Sequence, residues 1–137
     1  MSHAATNAAT DTTLSEDRIV IETVSKVVDA YFSFWNETSA DHRHVAIVAA
    51  WTEDGRYLDP LFSAEGADAL DSLAQGLHAQ YPGYQFRQTT PVDLHHDRAR
   101  WGWELLTADG VPYVAGVDYA VLAPDGRLRE VIGFFEA

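Results

Sequence analysis

Apolar residues recur at Val20, Val24, Val27, Val28, Tyr31 and Trp35, the spacing of one face of a helix. Just upstream, Ser15 is placed to cap free amides, Glu16 and Asp17 suit the positive end of a helix, and Leu14 can staple onto Ile19. A first helix is therefore expected from about residue 15 to 36. The polar stretch NETSADHRH follows, with Ser39 or Asp41 positioned to cap a shorter second helix whose apolar face reads Val45, Val48 and Ala49 and which ends near Trp51. Asp54-Gly55 reads as a turn into a short strand, residues 56 to 59, that stops at Pro60 because proline has no amide hydrogen to give to a ladder. A third helix is expected over about residues 65 to 80, with Leu70, Leu73, Ala74, Leu77 and Tyr81 on its apolar face, His78 beside that face, and Pro82-Gly83 as its stop.

Beyond Gly83 the period changes. YQFRQTTPVDL, RARWGWELL, VPYVAGVDYAVL and RLREVIGFF read as strands, separated by the turn signals His96-Asp97, Ala108-Asp109-Gly110 and Pro124-Asp125-Gly126. Helices first and an antiparallel meander second define an α+β domain. Three amphipathic helices cannot bury their stripes on one another alone. They are expected to lie across one face of a curved, mostly antiparallel sheet of about five or six strands, a cone whose mouth suits a small molecule.

In VPYVAGVDYAVL, alternation puts Val114, Gly116, Asp118, Ala120 and Leu122 on one side and Tyr113, Val117, Tyr119 and Val121 on the other. Both sides are too apolar to face water. One should meet the helices and the other a second copy of the sheet, in a homodimer. An ionised Asp118 among small aliphatic neighbours is costly, so its carboxyl is expected to rise in pKa and to serve as a hydrogen-bond donor.

Composition narrows the partners. The 137 residues suit one domain, with 47% hydrophobic and 12% aromatic residues, and no apolar run reaches the length of a membrane span. With 21 acidic against 9 basic side chains the formal charge is −12, which repels phosphate backbones and anionic headgroups, so neither nucleic acid nor membrane is expected as a partner. There is no cysteine for a disulfide, a thiolate nucleophile or a Cys-ligated zinc. Residues 1 to 13, rich in Ala and Thr, lack the basic start and apolar core of a secretory signal; a disordered tail, a single domain over residues 14 to 137 and a cytoplasmic location are the expectations.

The signature WTEDGRYLDP after the second helix and the ending DYAVLAPDGRLREVIGFF, behind three helices and a meander, resemble the nuclear transport factor 2-like superfamily, most nearly the SnoaL-like polyketide cyclases and the ketosteroid isomerases. The resemblance covers about residues 18 to 137. It implies a cone-shaped α+β barrel and, residue by residue, a general base at Asp59, the Asp before Pro in the short strand. A protonated oxyanion donor is implied at Asp118, eight residues before Gly126, and a tyrosine donor at Tyr31 on the first helix. The tyrosine that supports this donor on the third helix of the family has no counterpart here, the matching positions being near Ala74 and Gly76.

Each candidate has a plainer role. Asp before Pro is a common turn residue, a buried Asp is satisfied by a neighbouring Tyr or Trp, and Tyr31 on a helix stripe packs a core. Asp41-His42-Arg43-His44 and His95-His96-Asp97 read as a helix start and a hairpin turn, so no metal is expected, and Glu104 fits either a surface pair or a second acid in the cone. The expected function is a small-molecule pocket protein, a cofactor-free isomerase or cyclase moving a proton beside a carbonyl on a small apolar substrate, with a non-catalytic binding or dimerising module as the alternative. Trp35, Trp51, His78, Phe86, Val131 and Phe135 are the expected substrate-binding residues.

Overall fold

The computed structural model describes residues 19 to 136. Helix α1 spans Ile21–Asn36, α2 Ala40–Ala50 and α3 Ala67–Gln80; the strands are β1 Trp51–Leu58, β2 Ser63–Glu65, β3 Gln85–Gln88, β4 Asp93–His95, β5 Arg98–Leu106, β6 Pro112–Leu122 and β7 Leu128–Phe135. The seven strands form one open sheet in the order β2-β1-β7-β6-β5-β3, with β4 also on β5. Every pairing is antiparallel except β1 with β7, which is parallel and joins residues from opposite halves of the chain. The fold is α+β: among the described residues, three helices lie against a curved, mostly antiparallel sheet. No helix among the described residues is long and apolar enough to cross a membrane.

Several boundaries differ from the sequence expectation. The tail over residues 1 to 13 and the Ser15 cap with its Leu14 staple lie outside the described residues. Val20 is extended (φ −106°, ψ 147°), so α1 begins at Ile21, later than the expected start near residue 15. Asp54-Gly55 is not a turn: β1 already starts at Trp51, and the register slips between Trp51 and Arg56, which makes this dipeptide a bulge inside one longer strand. The chain then turns at Asp59 and returns as β2. The segment expected as one strand over residues 84 to 94 is broken at Thr89-Thr90-Pro91 into β3 and β4, because proline withholds the amide that a continuous ladder needs.

The second helix turns its other side inward. Ser39 caps it through the His42 amide, as the sequence suggests, but Val45 and Val48 are 67% and 56% exposed and Ala49 is exposed too. Its buried face is Arg43, Ala46, Ile47 and Ala50. Arg43 explains the choice: 2% exposed, its Nε donates to Asp71 Oδ1 on α3 at 2.6 Å and its Nη1 to the Glu37 carbonyl at 3.0 Å, which fixes the rotation of α2.

The core is one cluster between the helices and the inner face of the sheet, dominated by Tyr31, Phe34, Trp35, Trp51, Trp101 and Trp103. Along β6 the alternation holds: Gly116, Asp118, Ala120 and Leu122 point inward and are buried. Tyr113 leaves the opposite face, past the slip in the β5–β6 register, and packs on Tyr81 and Tyr84.

Candidate functional site

Asp118 sits at the middle of β6 on the inner face, 3% exposed, opposite Trp101 on β5 and Gly133 on β7. Tyr31 reaches it from α1, because the helical stripe that buries Val24, Val27 and Val28 also aims this phenol at the sheet, and its hydroxyl donates to Asp118 Oδ2 at 2.7 Å. The second oxygen of Asp118, Oδ1, is buried without a hydrogen-bond partner. Loss of solvent is the main influence on this carboxyl and lifts it from an ordinary 3.8 to about 7; the Tyr31 hydroxyl and the Trp103 indole pull it down, Asp59 pushes it up, and Trp101 pulls it down. Burial also holds Tyr31 well above the usual phenol value, with the charge of Asp118 adding to it. At neutral pH the proton of the pair therefore stays on the phenol, while Asp118 is shared between its acid and its carboxylate forms.

A second phenol and carboxyl lie beside the first. Tyr57 points inward from β1 and its hydroxyl donates to Asp59 Oδ2 at 2.7 Å. Asp59 Oδ1 accepts from the amides of Leu61 and Phe62, both at 2.8 Å, and the Asp59 amide donates back to the Phe62 carbonyl at 2.9 Å. The Asp before Pro is thus a turn residue, and the same turn directs its other oxygen to the buried end of Tyr57. Asp59 is half-buried, between Tyr57 and solvent. Burial, then the charges of Asp118 and Asp59, hold Tyr57 well above the usual phenol value, so it too remains a donor.

Glycine makes this proximity feasible. A Cβ at Gly133 would lie 2.9 Å from Asp118 Oδ1, 3.2 Å from the Tyr57 hydroxyl and 3.4 Å from Asp59 Cβ, so the two acid–phenol pairs meet over this one residue. A Cβ at Gly116 would lie 2.5 Å from the Trp103 ring, which fills the space a side chain there would need.

The remaining expected residues fall into two places. Trp35, His78 and Phe86 line a small cavity of about 20 Å³ with Leu77, Tyr81 and Leu105, room for about one water. The Nε2 atom of His78 is buried there without a partner. Trp35 divides this cavity from the phenols, its ring 5.4 Å from Phe86 on one side and 4.9 Å from Tyr57 on the other. Phe135 extends the aromatic row, 5.9 Å from Trp103, and Val131 is buried on the same face of β7. Trp51 lies apart from these, packed under Tyr31 and Phe34.

Glu104 faces the outer side of β5, where it pairs with Arg87, and is not an acid of the cone. His95 and His96 form a hairpin turn with His96 at φ 52°, and among the described residues no three His, Asp or Glu side chains gather as metal ligands. Tyr57 was not singled out by sequence, and Trp101 and Trp103, part of its aromatic supply, were not among the expected binding residues. Tyr57 carried a usable signal, since two residues before Asp59 in one strand it shares that residue's face.

No family model matches the sequence, and no curated protein does. Solved structures do. A SnoaL-like protein from Agrobacterium tumefaciens, provisionally named an isomerase, is 29% identical and superposes with a TM-score of 0.78 over 85% of this chain and 99% of its own. A SnoaL-like protein of unknown function from Burkholderia thailandensis is 12% identical, with a TM-score of 0.67 over 88% of this chain and all of its own. A protein from Jannaschia sp. CCS1, provisionally named a SnoaL-like polyketide cyclase, is 19% identical, with a TM-score of 0.62 over 88% and 90%. The chain has the fold of the nuclear transport factor 2-like superfamily. Within it, the neighbours are SnoaL-like proteins of isomerase and cyclase type, most without an assigned function.

Proposed function

We propose that this chain is a cofactor-free proton-transfer enzyme, an isomerase or cyclase acting on a small, largely apolar carbonyl compound. The observation that carries the reading is the buried Tyr31–Asp118 pair with a free carboxyl oxygen, facing the Tyr57–Asp59 pair across Gly133. Asp59 takes a proton from the carbon beside the carbonyl: the C–H bond breaks, an O–H bond forms on the carboxylate, and the electron pair moves onto the substrate oxygen. Tyr31 and protonated Asp118 hold that oxygen, a stabilisation that in a dry site contributes several kcal/mol. Return of the proton at another carbon makes an isomerase. Attack of the enolate carbon on a second carbonyl makes a cyclase.

Exchange of carbon-bound protons for deuterium in a panel of cyclic ketones tests this. The wild type is expected to catalyse the exchange and Asp59→Asn to lose about a hundredfold or more while melting cooperatively. Equal exchange rates in the two proteins would refute the role of Asp59.

A second reading has its own support. Both oxygens of Asp59 are already occupied by a turn and by Tyr57, as in a module that binds a metabolite without changing it. In either reading the partner is a small apolar molecule, and the outer face of the sheet, where Val117, Tyr119, Val121, Ile132 and Phe134 form an apolar patch, joins a second copy in a homodimer.

A further inference from the structure

The inner face of the sheet holds more buried donors than its own acceptors use. The indole N–H groups of Trp101 and Trp103 are buried and without a hydrogen-bond partner, as is Asp118 Oδ1. All three are on neighbouring strands and one face: Trp101 is directly opposite Asp118, and Trp103 directly opposite Gly116, two positions along β6. Both indoles lie near enough to the Asp118 carboxyl to pull it down, yet neither N–H reaches a hydrogen-bond partner. Leaving a buried donor unpaired is costly, and here two donors and an acceptor are unpaired side by side. Gly116 and Gly133 flank Asp118 on this face; the Trp103 ring occupies the space over the first and the Asp118 carboxyl the space over the second, which brings the indole and the carboxyl close together.

We propose that Trp101 and Trp103 are ligand-binding residues whose indole N–H groups donate to a carbonyl or phenolic oxygen of a flat ligand lying against Asp118. The inference rests on the cone being the ligand site and adds what the ligand must carry. Indole nitrogens only donate, so the group they receive must be an acceptor. A site built around such an oxygen rejects the hydrocarbon of the same shape, because that molecule would leave the donors buried and unpaired.

Binding of 2-naphthol and of naphthalene to the wild type, Trp101→Phe, Trp103→Phe and Asp118→Asn tests the assignment, alongside the indole 15N–1H resonances of the wild type. Expected are a preference for naphthol of about tenfold or more, its reduction in each Phe variant, and a downfield shift of both indole protons with naphthol alone. The resonances are read in the intact wild type, so a variant that fails to fold does not decide the matter. Equal binding of the two probes, no binding of either, or naphthol bound with the indole protons unmoved would overturn it. A preference abolished only by Asp118→Asn would also overturn it and leave the proton-transfer reading standing, whereas loss of that reading appears in the deuterium exchange of Asp59→Asn.

Discussion

Asp118 and Gly133 face one another across the β6–β7 ladder, and the carboxyl of the first occupies the space that a side chain on the second would fill. Gly133→Ala puts a methyl 2.9 Å from Asp118 Oδ1 and 3.2 Å from the Tyr57 hydroxyl. Overpacking of this kind costs about 1–3 kcal/mol. Gly76→Ala supplies the opposite sign, since that glycine is exposed within α3 with nothing within 4 Å of the added carbon, and a helical alanine should stabilise by about 0.5–1 kcal/mol. Urea denaturation of the two variants reads both signs.

Stability should fall as pH rises from about 4 to about 7. The Asp118 carboxyl is lifted from 3.8 to about 7 in the folded protein, so between these values the native state holds a proton that the unfolded chain has lost. The extra stability is complete below the lower value, declines through the window, and is gone above the upper one. The span is on the order of a few kcal/mol. Asp118→Asn should flatten it, and Tyr31→Phe should carry its upper end to higher pH, because the Tyr31 hydroxyl is the strongest influence holding the carboxyl down. Urea midpoints at half-unit pH steps would show all three behaviours, and no slope in the wild type would contradict the buried acid.

The Arg43–Asp71 pair should be unequal under mutation. Arg43 is buried and Asp71 is about one-third exposed. Asp71→Ala strands a buried guanidinium and should cost about 3–5 kcal/mol, whereas Arg43→Met leaves its partner free to turn to water and should cost less. Thermal melts of both variants rank them directly.

The outer face of β6 and β7 offers a test of assembly. Tyr119 and Phe134 are exposed there with ring centroids 5.8 Å apart. Phe134→Asp should convert a dimer to a monomer in analytical ultracentrifugation and leave the helical circular dichroism unchanged. A monomeric wild type would remove that face from the list of interfaces.

Sequence periodicity reached the three helices, the meander and the inner parity of Asp118, because each is written in spacing along one element. It misjudged α2, where residues 45 to 50 are apolar all round and the deciding contact, Arg43 to Asp71, belongs to another helix. Asp59 and Tyr31 were legible through resemblance. Nothing in the sequence sets the indoles of Trp101 and Trp103 apart from other aromatic residues, since an unpaired N–H is a property of the assembled cone. A second phenol was sought on the third helix, and β1 supplies one at Tyr57.

The single parallel pairing in the sheet has a kinetic meaning. Strand β1 has only the three residues of β2 on one edge and the last strand of the sheet on the other, with Tyr57 matched to Val131. During synthesis β1 emerges long before β7, so the wall that presents Tyr57 and Asp59 cannot close until β7 has left the ribosome. A nascent chain stopped before residue 128 should remain open to proteases, with both carboxyls in water.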